Sequence, residues 1–354
     1  MNRRTLLQAA GAGVAASLAG CSGLFQTETI NRSPPMVENR PDAVYVPSHI
    51  EGMEMGGTAK QGRLRLALFY SFPHRFWLMG GGTAKQQEKV EIQSDDDAHV
   101  MASVWDEQTG TVLPAGNLRL ELAKDDWSTT RTMWSMLSQN MGLHFGDNMS
   151  LDGDGEYEAT VTFSGVTADL TGALAGQFGD TTTLTTTFEY SQAAKEDVMY
   201  ETFDARKGEK DAEPPMRMDM KMPISSVPKE SEFPGTVRGT TTTGDADFLV
   251  ATVSEGDLAG EGTYIAVSPR TPYNRYPLPM MSLSATLQRG EKTAFDGALT
   301  PTLDPDAGYH YGKRVDGVES GDELTITVES PPQVSRHEGY ETAFLDMNEK
   351  TVTL

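Results

Sequence analysis

The sequence predicts an all-β protein made of two antiparallel β-sandwich repeats joined by a Pro/Met-rich linker. Three observations predict it. Short segments alternate apolar and polar residues, Gly/Asp turns separate them every ~8–12 residues, and the second half is a faint copy of the first. The chain has 354 residues, enough for two ordinary domains with a leader and a linker.

In the first half "RLRLALFYSF" alternates and breaks at Pro73. "EKVEIQ", "HVMASVWD", "NLRLELA" and "EYEATVTF" alternate likewise, and "TTTLTTTFEY" is a Thr-rich strand. "EQTG", "DGDG" and "FGD" are the turns between them. "QAAKEDVMYETFDA" has the pattern of a helix, and "EKDAEPPMRMDMKMPISSVPKESEFPG" is the connector. Strands resume with "DADFLVATV", "GTYIAVS", "MMSLSATL" and "DELTITVE". "MLSQNMGLHFG" aligns without a gap on "TLDPDAGYHYG", which sets Met136 opposite Thr302 and His144 opposite His310. The expected organisation is a leader (1–21), a tether (22–43), a first sandwich (44–190), a helix and linker (191–235) and a second, divergent repeat (236–354). Repeat two is expected to pack on repeat one as a pseudo-dimer.

Acidic residues number 51 against 29 basic ones, a formal charge of −22. No basic stripe exists to neutralise phosphates, which argues against nucleic acid. Acidic groups spread along the whole chain fit a high-salt, halophilic setting. The start, "MNRRTLLQAAGAGVAASLAGC", pairs Arg3 with Arg4, then gives an apolar run and "LAGC". This is the pattern of a twin-arginine (Tat) export signal followed by a lipobox, with a simple signal anchor as the alternative. Cys21 would become the first mature residue and carry a lipid, anchoring the protein to the outer face of the cell membrane. It is the one cysteine in the chain, so the mature domains hold neither a disulfide nor a thiolate ligand.

The chain has six histidines. His99 and Met101 are two apart on a strand and share a face. Met136 and His144 flank a loop that enters the "EYEATVTF" strand. Two imidazoles and two thioethers suit copper, or iron with added oxygen ligands. His74 in "FPHRFW" and His49 in "HIEGMEMGG" are candidate additions, the latter beside Glu51, Met53, Glu54 and Met55. Read singly, each has a plain structural role: a strand residue beside "SDDD" for His99, core packing for Met101 and Met136, a loop hydrogen bond for His144, a ring against Phe76 or Trp77 for His74. "MRMDMKM" puts Met216, Met218, Met220 and Met222 on one face if extended, a Cu(I)-like set or a cover for apolar surface. In repeat two, His310, His337, Met280 and Met281 are the candidates. There is no HExxH, no phosphate loop before a helix and no triad that can be singled out, so the chain reads as a binding protein rather than an enzyme.

The stretch "MLSQNMGLHFGDNMSLDGDGEYEATVTF" resembles the periplasmic iron-transport family that includes a treponemal membrane antigen. The likeness spans roughly residues 44–190. It implies immunoglobulin-like β-sandwiches, often dimeric, that bind copper, iron or similar ions beside an iron permease. The family's methionine falls on Met136 and its loop histidine on His144. Its His-x-Glu pair falls on "HVM", with Met101 in place of the glutamate, or near "RLRLALFYSF", which leaves only His74. A later family histidine has no counterpart in "TADLTGALAGQFGD". In repeat two His310 and His337 keep the histidines that flank this strand, while Thr302 replaces the methionine. The whole chain also resembles haloarchaeal iron-transporter lipoproteins with a C-terminal domain of unknown function.

The expectation is therefore a lipid-anchored, extracytoplasmic transition-metal-binding protein of an iron-uptake system. The alternatives are a surface module that binds a protein or glycan without metal and a redox enzyme that changes the metal's oxidation state. The complementary losses in the two repeats allow one shared site or one site per repeat. The expectation favours separate sites, with His310 and His337 close together in the second. A permease and a second copy of the chain are the expected partners besides membrane lipid.

Overall fold

The computed structural model describes residues 34–80, 83, 85–114, 116–216 and 222–354. The export signal, Cys21, most of the tether, Met218 and Met220 lie outside the described residues. The first half supplies β1 (His49–Glu51), β2 (Glu54–Gln61), β3 (Leu64–Ser71), β4 (Phe76–Met79), β5 (Gln87–Val90) and β6 (Ala98–Asp106). It continues with β7 (Gly116–Lys124), β8 (Trp127–Ser138), β9 (Gly142–Met149), β10 (Gly155–Val166), β11 (Asp169–Leu170) and β12 (Thr182–Tyr190). A short helix α1 (Gln192–Asp197) and β13 (Tyr200–Thr202) follow. The second half gives β14 (Thr236–Thr243), β15 (Ala246–Val253), α2 (Gly256–Ala259), β16 (Thr263–Arg270), β17 (Ser282–Arg289), β18 (Lys292–Ala298) and β19 (Thr300–Asp304). It ends with β20 (Gly308–Val315), β21 (Glu323–Ser330), β22 (Ser335–Arg336) and β23 (Lys350–Thr353). No helix among the described residues is long and apolar enough to cross a membrane.

The protein is all-β, as expected, with nearly every strand pair antiparallel. On β7 Leu118, Leu120 and Leu122 turn inward while Arg119 and Glu121 do not; on β10 Tyr157, Ala159, Val161 and Phe163 do the same. Strand β6 differs, being buried on both faces. Val100, Ala102 and Val104 enter the main core, and His99 and Met101 face the opposite way. The strand can therefore carry chemistry on one face without loss of the other from the core. One continuous apolar cluster runs through both halves, from Val44 to Leu354.

The duplication read in the sequence reappears in the strand order. β2-β3-β6-β9-β8 in the first half corresponds to β14-β15-β16-β20-β19 in the second. The registers agree too: Met136 pairs with His144 and Thr302 with His310, while Met101 pairs with Gly146 and Ala266 with Gly312. Each half also lends a two-residue strand to the other. β22 pairs parallel with β8, with Ser335 opposite Met136, and β11 pairs parallel with β19, with Asp169 opposite Thr302. The exchange is reciprocal, as in a two-fold dimer.

Two stretches differ from the sequence expectation. The helix covers only Gln192–Asp197, capped by Ser191 Oγ, which accepts from Ala194 N at 3.3 Å. After Val198 the chain extends, because Tyr200–Thr202 finds a strand partner in His49–Glu51. The described part of the 191–235 stretch packs on the body: Glu213 N donates to Gln139 Oε1 at 2.8 Å and Leu143 N to Ser225 Oγ at 2.9 Å. Residues 34–46, read as tether end and sandwich start, lie against the segment after β22. Arg40 pairs with Glu341 at 2.9 Å, and Tyr45 OH donates to the same carboxylate.

That segment is fixed tightly. Arg336 is fully buried and donates to the carbonyls of Ala343 and Pro332; burial lowers its pKa to about 9. Gly339 has φ +97°, and a Cβ there would sit 2.5 Å from Gln139 Nε2 and 2.6 Å from Tyr45 O. Gly339→Ala is expected to destabilise the protein by roughly 1–3 kcal/mol, from backbone strain plus the clash, as read by denaturant unfolding.

Candidate metal centre

Five side chains from five places in the chain converge beside β6. His99 stands on β6, Met136 on β8 and His144 on β9. His74 precedes β4, and His337 immediately follows β22. The parallel pairing of β22 with β8 carries on at His337, whose N–H donates to Leu137 O at 3.1 Å. The ring centroids of His74 and His99 lie 4.0 Å apart, and those of His74 and His337 4.6 Å. His337 is 5.6 Å from His99 and 5.2 Å from His144. Ligand atoms of His74, His99 and His337 all fall within 4.8 Å of one another. Metal–nitrogen bonds of about 2 Å close that span with small side-chain rotations. Met136 Sδ lies 3.4 Å from His337 Nε2.

The rings are held by one nitrogen and offer the other. His74 Nδ1 faces Glu51 Oε1 at 2.8 Å and Phe72 O at 3.1 Å; both only accept, so Nδ1 carries the proton. His144 Nδ1 likewise donates to Gly142 O at 3.1 Å. His99 Nδ1 meets Asn148 Oδ1 at 2.8 Å, and Asn148 Nδ2 donates back to His74 O at 2.9 Å. The Nε2 atoms of His74, His99 and His144 are buried with no protein partner. Buried polar atoms are nearly always paired, so the unpartnered Nε2 atoms of His74 and His99 beside His337, with that of His144 on a ring 5.2 Å from His337, fit a ligand-binding role. An outer carboxylate, carbonyl or amide on the far nitrogen is the usual support of a metal-bound imidazole.

Gly146 lies between the ligands. A Cβ there would sit 2.7 Å from His99 Nε2 and 3.0 Å from Met136 Sδ, so only hydrogen at this position leaves the centre open.

Burial keeps the rings of His99, His144 and His337 neutral. Desolvation lowers the His144 pKa to about 4 and holds His99 well below 6.5, with the neighbouring His74 adding to the effect. His337 keeps an edge on the adjoining cleft, yet desolvation and the surrounding imidazoles also hold it well below 6.5. Neutral imidazole is the metal-binding form.

The structure separates the other candidates. Met101 shares the face of His99 but packs with Phe69, Ala67 and Met141. His49 lies in the adjoining cleft, with Nδ1 3.0 Å from Ser48 Oγ and its ring on Tyr200 at 5.1 Å; burial lowers its pKa to about 4. The expected pairing of His310 with His337 does not form. His310 is fully buried in the second half, with Nδ1 on Gly308 O at 2.9 Å and Nε2 on Tyr264 OH at 3.1 Å.

The reason lies in the matching registers. Tyr264 occupies in β16 the place of His99 in β6, and Thr302 the place of Met136. Thr171, whose N–H donates to Leu303 O at 3.2 Å, stands where His337 stands in the other half. Tyr264 OH reaches both Thr302 Oγ1 and His310 Nε2 at 3.1 Å. A tyrosine hydroxyl thus plugs the second copy and satisfies its histidine. The late histidine missing from repeat one is supplied by repeat two, so the separate-site expectation gives way to one centre shared between the halves. Glu51 was visible in "HIEGMEMGG"; Asn148 and Gly146, in "HFGDN", carried no signal without the strand register.

A family model described as "Domain of unknown function (DUF7350)" matches residues 231–353. A comparison with curated proteins finds no match. Among solved structures, the chain is similar to FetP of uropathogenic E. coli at 16% identity, covering 40% of this chain and 97% of that one, with a TM-score of 0.29. It is similar to copper-reconstituted P19 of Campylobacter jejuni at 19% identity, covering 39% and 96%, with a TM-score of 0.29. A copper-bound P19 variant gives 19%, 40% and 98%, with a TM-score of 0.30. The reading of the centre rests on its own geometry.

The buried neutral rings set a pH dependence. From 6.5, the unfolded value, down to about 4 for His144, the unfolded chain binds more protons than the folded one. Stability then rises with pH and is lost as pH falls through this window. His144 alone accounts for up to about 3 kcal/mol. The metal-free protein should show a falling denaturant midpoint from pH 7 to pH 5, and His144→Leu should flatten that slope.

Proposed function

We propose that this protein is a lipid-anchored, extracytoplasmic transition-metal-binding protein of an iron-uptake system. Its metal centre is made by His74, His99, His144, His337 and Met136. The observation that carries the reading is the approach of His74, His99 and His337 to within 4.8 Å of one another, with Met136 Sδ 3.4 Å from His337 Nε2 and the His144 ring 5.2 Å from that of His337. Imidazoles with one thioether suit copper, and Cu²⁺ heads the divalent affinity order at such sites. The donor set contains no carboxylate or thiolate. The Glu51 carboxylate, 2.8 Å from His74 Nδ1, offsets part of the ion's charge through the imidazole. Iron binding would call for oxygen ligands beyond this set.

The export and anchoring rest on "NRRTLL" and "LAGC" at the start of the chain, and the iron-uptake role on the sequence resemblance. An iron permease and a second copy of the chain are proposed partners. The shared centre needs no second copy, since the two halves already supply all its ligands. The protein binds and hands over metal rather than catalysing a reaction.

Calorimetric titration with Cu²⁺, Fe²⁺ and Mn²⁺ should give one equivalent per chain, tightest for Cu²⁺. His99→Ala/His144→Ala should weaken it by roughly a hundredfold or more, because loss of even an outer partner costs about 10–100-fold. Unchanged affinity in that double variant contradicts the assignment. Separately, Cys21→Ser is expected to abolish lipid labelling and membrane partitioning in the native host.

A further inference from the structure

We infer that the cleft beside the histidine centre holds a second, sulfur-rich metal position, which takes a monovalent soft cation of the Cu(I) class. The cleft has a volume of about 90 Å³, and Met53, Met101 and Met141 line it together with His74 and His337. Met101 and Met141 are buried beside Phe69 and Ala67, and Met53 and Met222 pack against them. Methionine normally fills irregular gaps singly. Here four methionine side chains share one apolar cluster, and three of them line an open cleft, where aliphatic side chains would serve packing equally well.

The cleft also has unsatisfied polar walls. Glu51 Oε2 and Asn140 Oδ1 are buried without a protein partner, and both residues line it. Both oxygens are free to turn to a cation in the cleft without displacing a hydrogen bond. Thioethers are neutral, soft donors that favour Cu(I) over harder divalent ions. A single positive charge is also the cheaper one to hold in a desolvated, neutral setting. Met101 stands two residues from His99 on the same face of β6, so an ion on the sulfurs is one side chain away from the imidazoles. The position is distinct from the histidine centre and depends on that reading only for what it would feed.

The test uses the full mature protein, with Ag(I) as a redox-inert monovalent probe and Cu²⁺ as the probe of the histidine centre. Met53→Leu/Met141→Leu is nearly volume-conserving, so the core should tolerate it; Met141→Leu alone serves as a milder variant. The double variant should lose one Ag(I) equivalent, or weaken it tenfold or more, and keep its Cu²⁺ affinity. X-ray absorption should show sulfur neighbours around that Ag(I) in the parent and fewer in the variants. Unchanged Ag(I) stoichiometry and affinity overturns the sulfur position. A parallel fall in Cu²⁺ affinity overturns its being separate. Absence of Cu²⁺ binding in the parent, with methionine-dependent Ag(I) binding intact, would instead count against the histidine centre and leave this position standing.

Discussion

The structure depends on the exchange of short strands between its two halves. β22 leaves the second half and pairs parallel with β8, setting Ser335 opposite Met136 and His337 onto Leu137 O. Two residues of pairing are weak alone, and the surrounding segment holds them. Buried Arg336 donates to nearby carbonyls, and Glu341 receives both Arg40 and Tyr45. Glu338 accepts from Val37 N at 3.3 Å and Ser48 Oγ at 2.8 Å. The N-terminal run thus staples the C-terminal segment over the first sandwich. Without that staple, four ligands would remain on the first half and the fifth would be absent.

The two copies of the motif show what keeps one open and closes the other. At both, a glycine on the central strand leaves room: a Cβ at Gly312 would lie 2.1 Å from Tyr264 OH, as one at Gly146 would lie 2.7 Å from His99 Nε2. In the first, the space faces imidazoles whose Nε2 atoms have no partner. In the second, the tyrosine hydroxyl enters it and answers His310. Exchange of one residue type on β16 converts a ligand cluster into an ordinary hydrogen-bonded core. The reciprocal strand β11 brings Thr171, a residue without a ligand nitrogen, to the place that His337 fills.

Much of this was legible in the sequence. Alternation exposed the strands, and the gapless alignment of "MLSQNMGLHFG" with "TLDPDAGYHYG" set Met136 on Thr302 and His144 on His310, an equivalence that the two strand registers share. His74, His99, His144 and Met136 were all named as candidates for one site. The partner of His337 was not legible, because its position depends on which strand β22 joins, and a two-residue strand leaves no periodic trace. The plugging of His310 was hidden for a related reason. Tyr264 lies in "GTYIAVS", far from the histidine in sequence, and only the β16–β20 register brings them together. The helix expected over "QAAKEDVMYETFDA" shortened because a strand partner outcompeted its periodicity.

The centre that results is assembled from neutral donors, desolvated on one face of a strand whose other face is core. That arrangement explains why the candidate ligands and the fold share residues: β6 cannot move without disturbing both. The most direct measurement is a crystal structure of the copper-loaded protein with anomalous scattering at the copper edge. The account predicts one strong peak among His74, His99, His144, His337 and Met136, with His337 Nε2 within about 2 Å bonding distance. A peak beside His310, or a copper that leaves His337 uncoordinated, would contradict it.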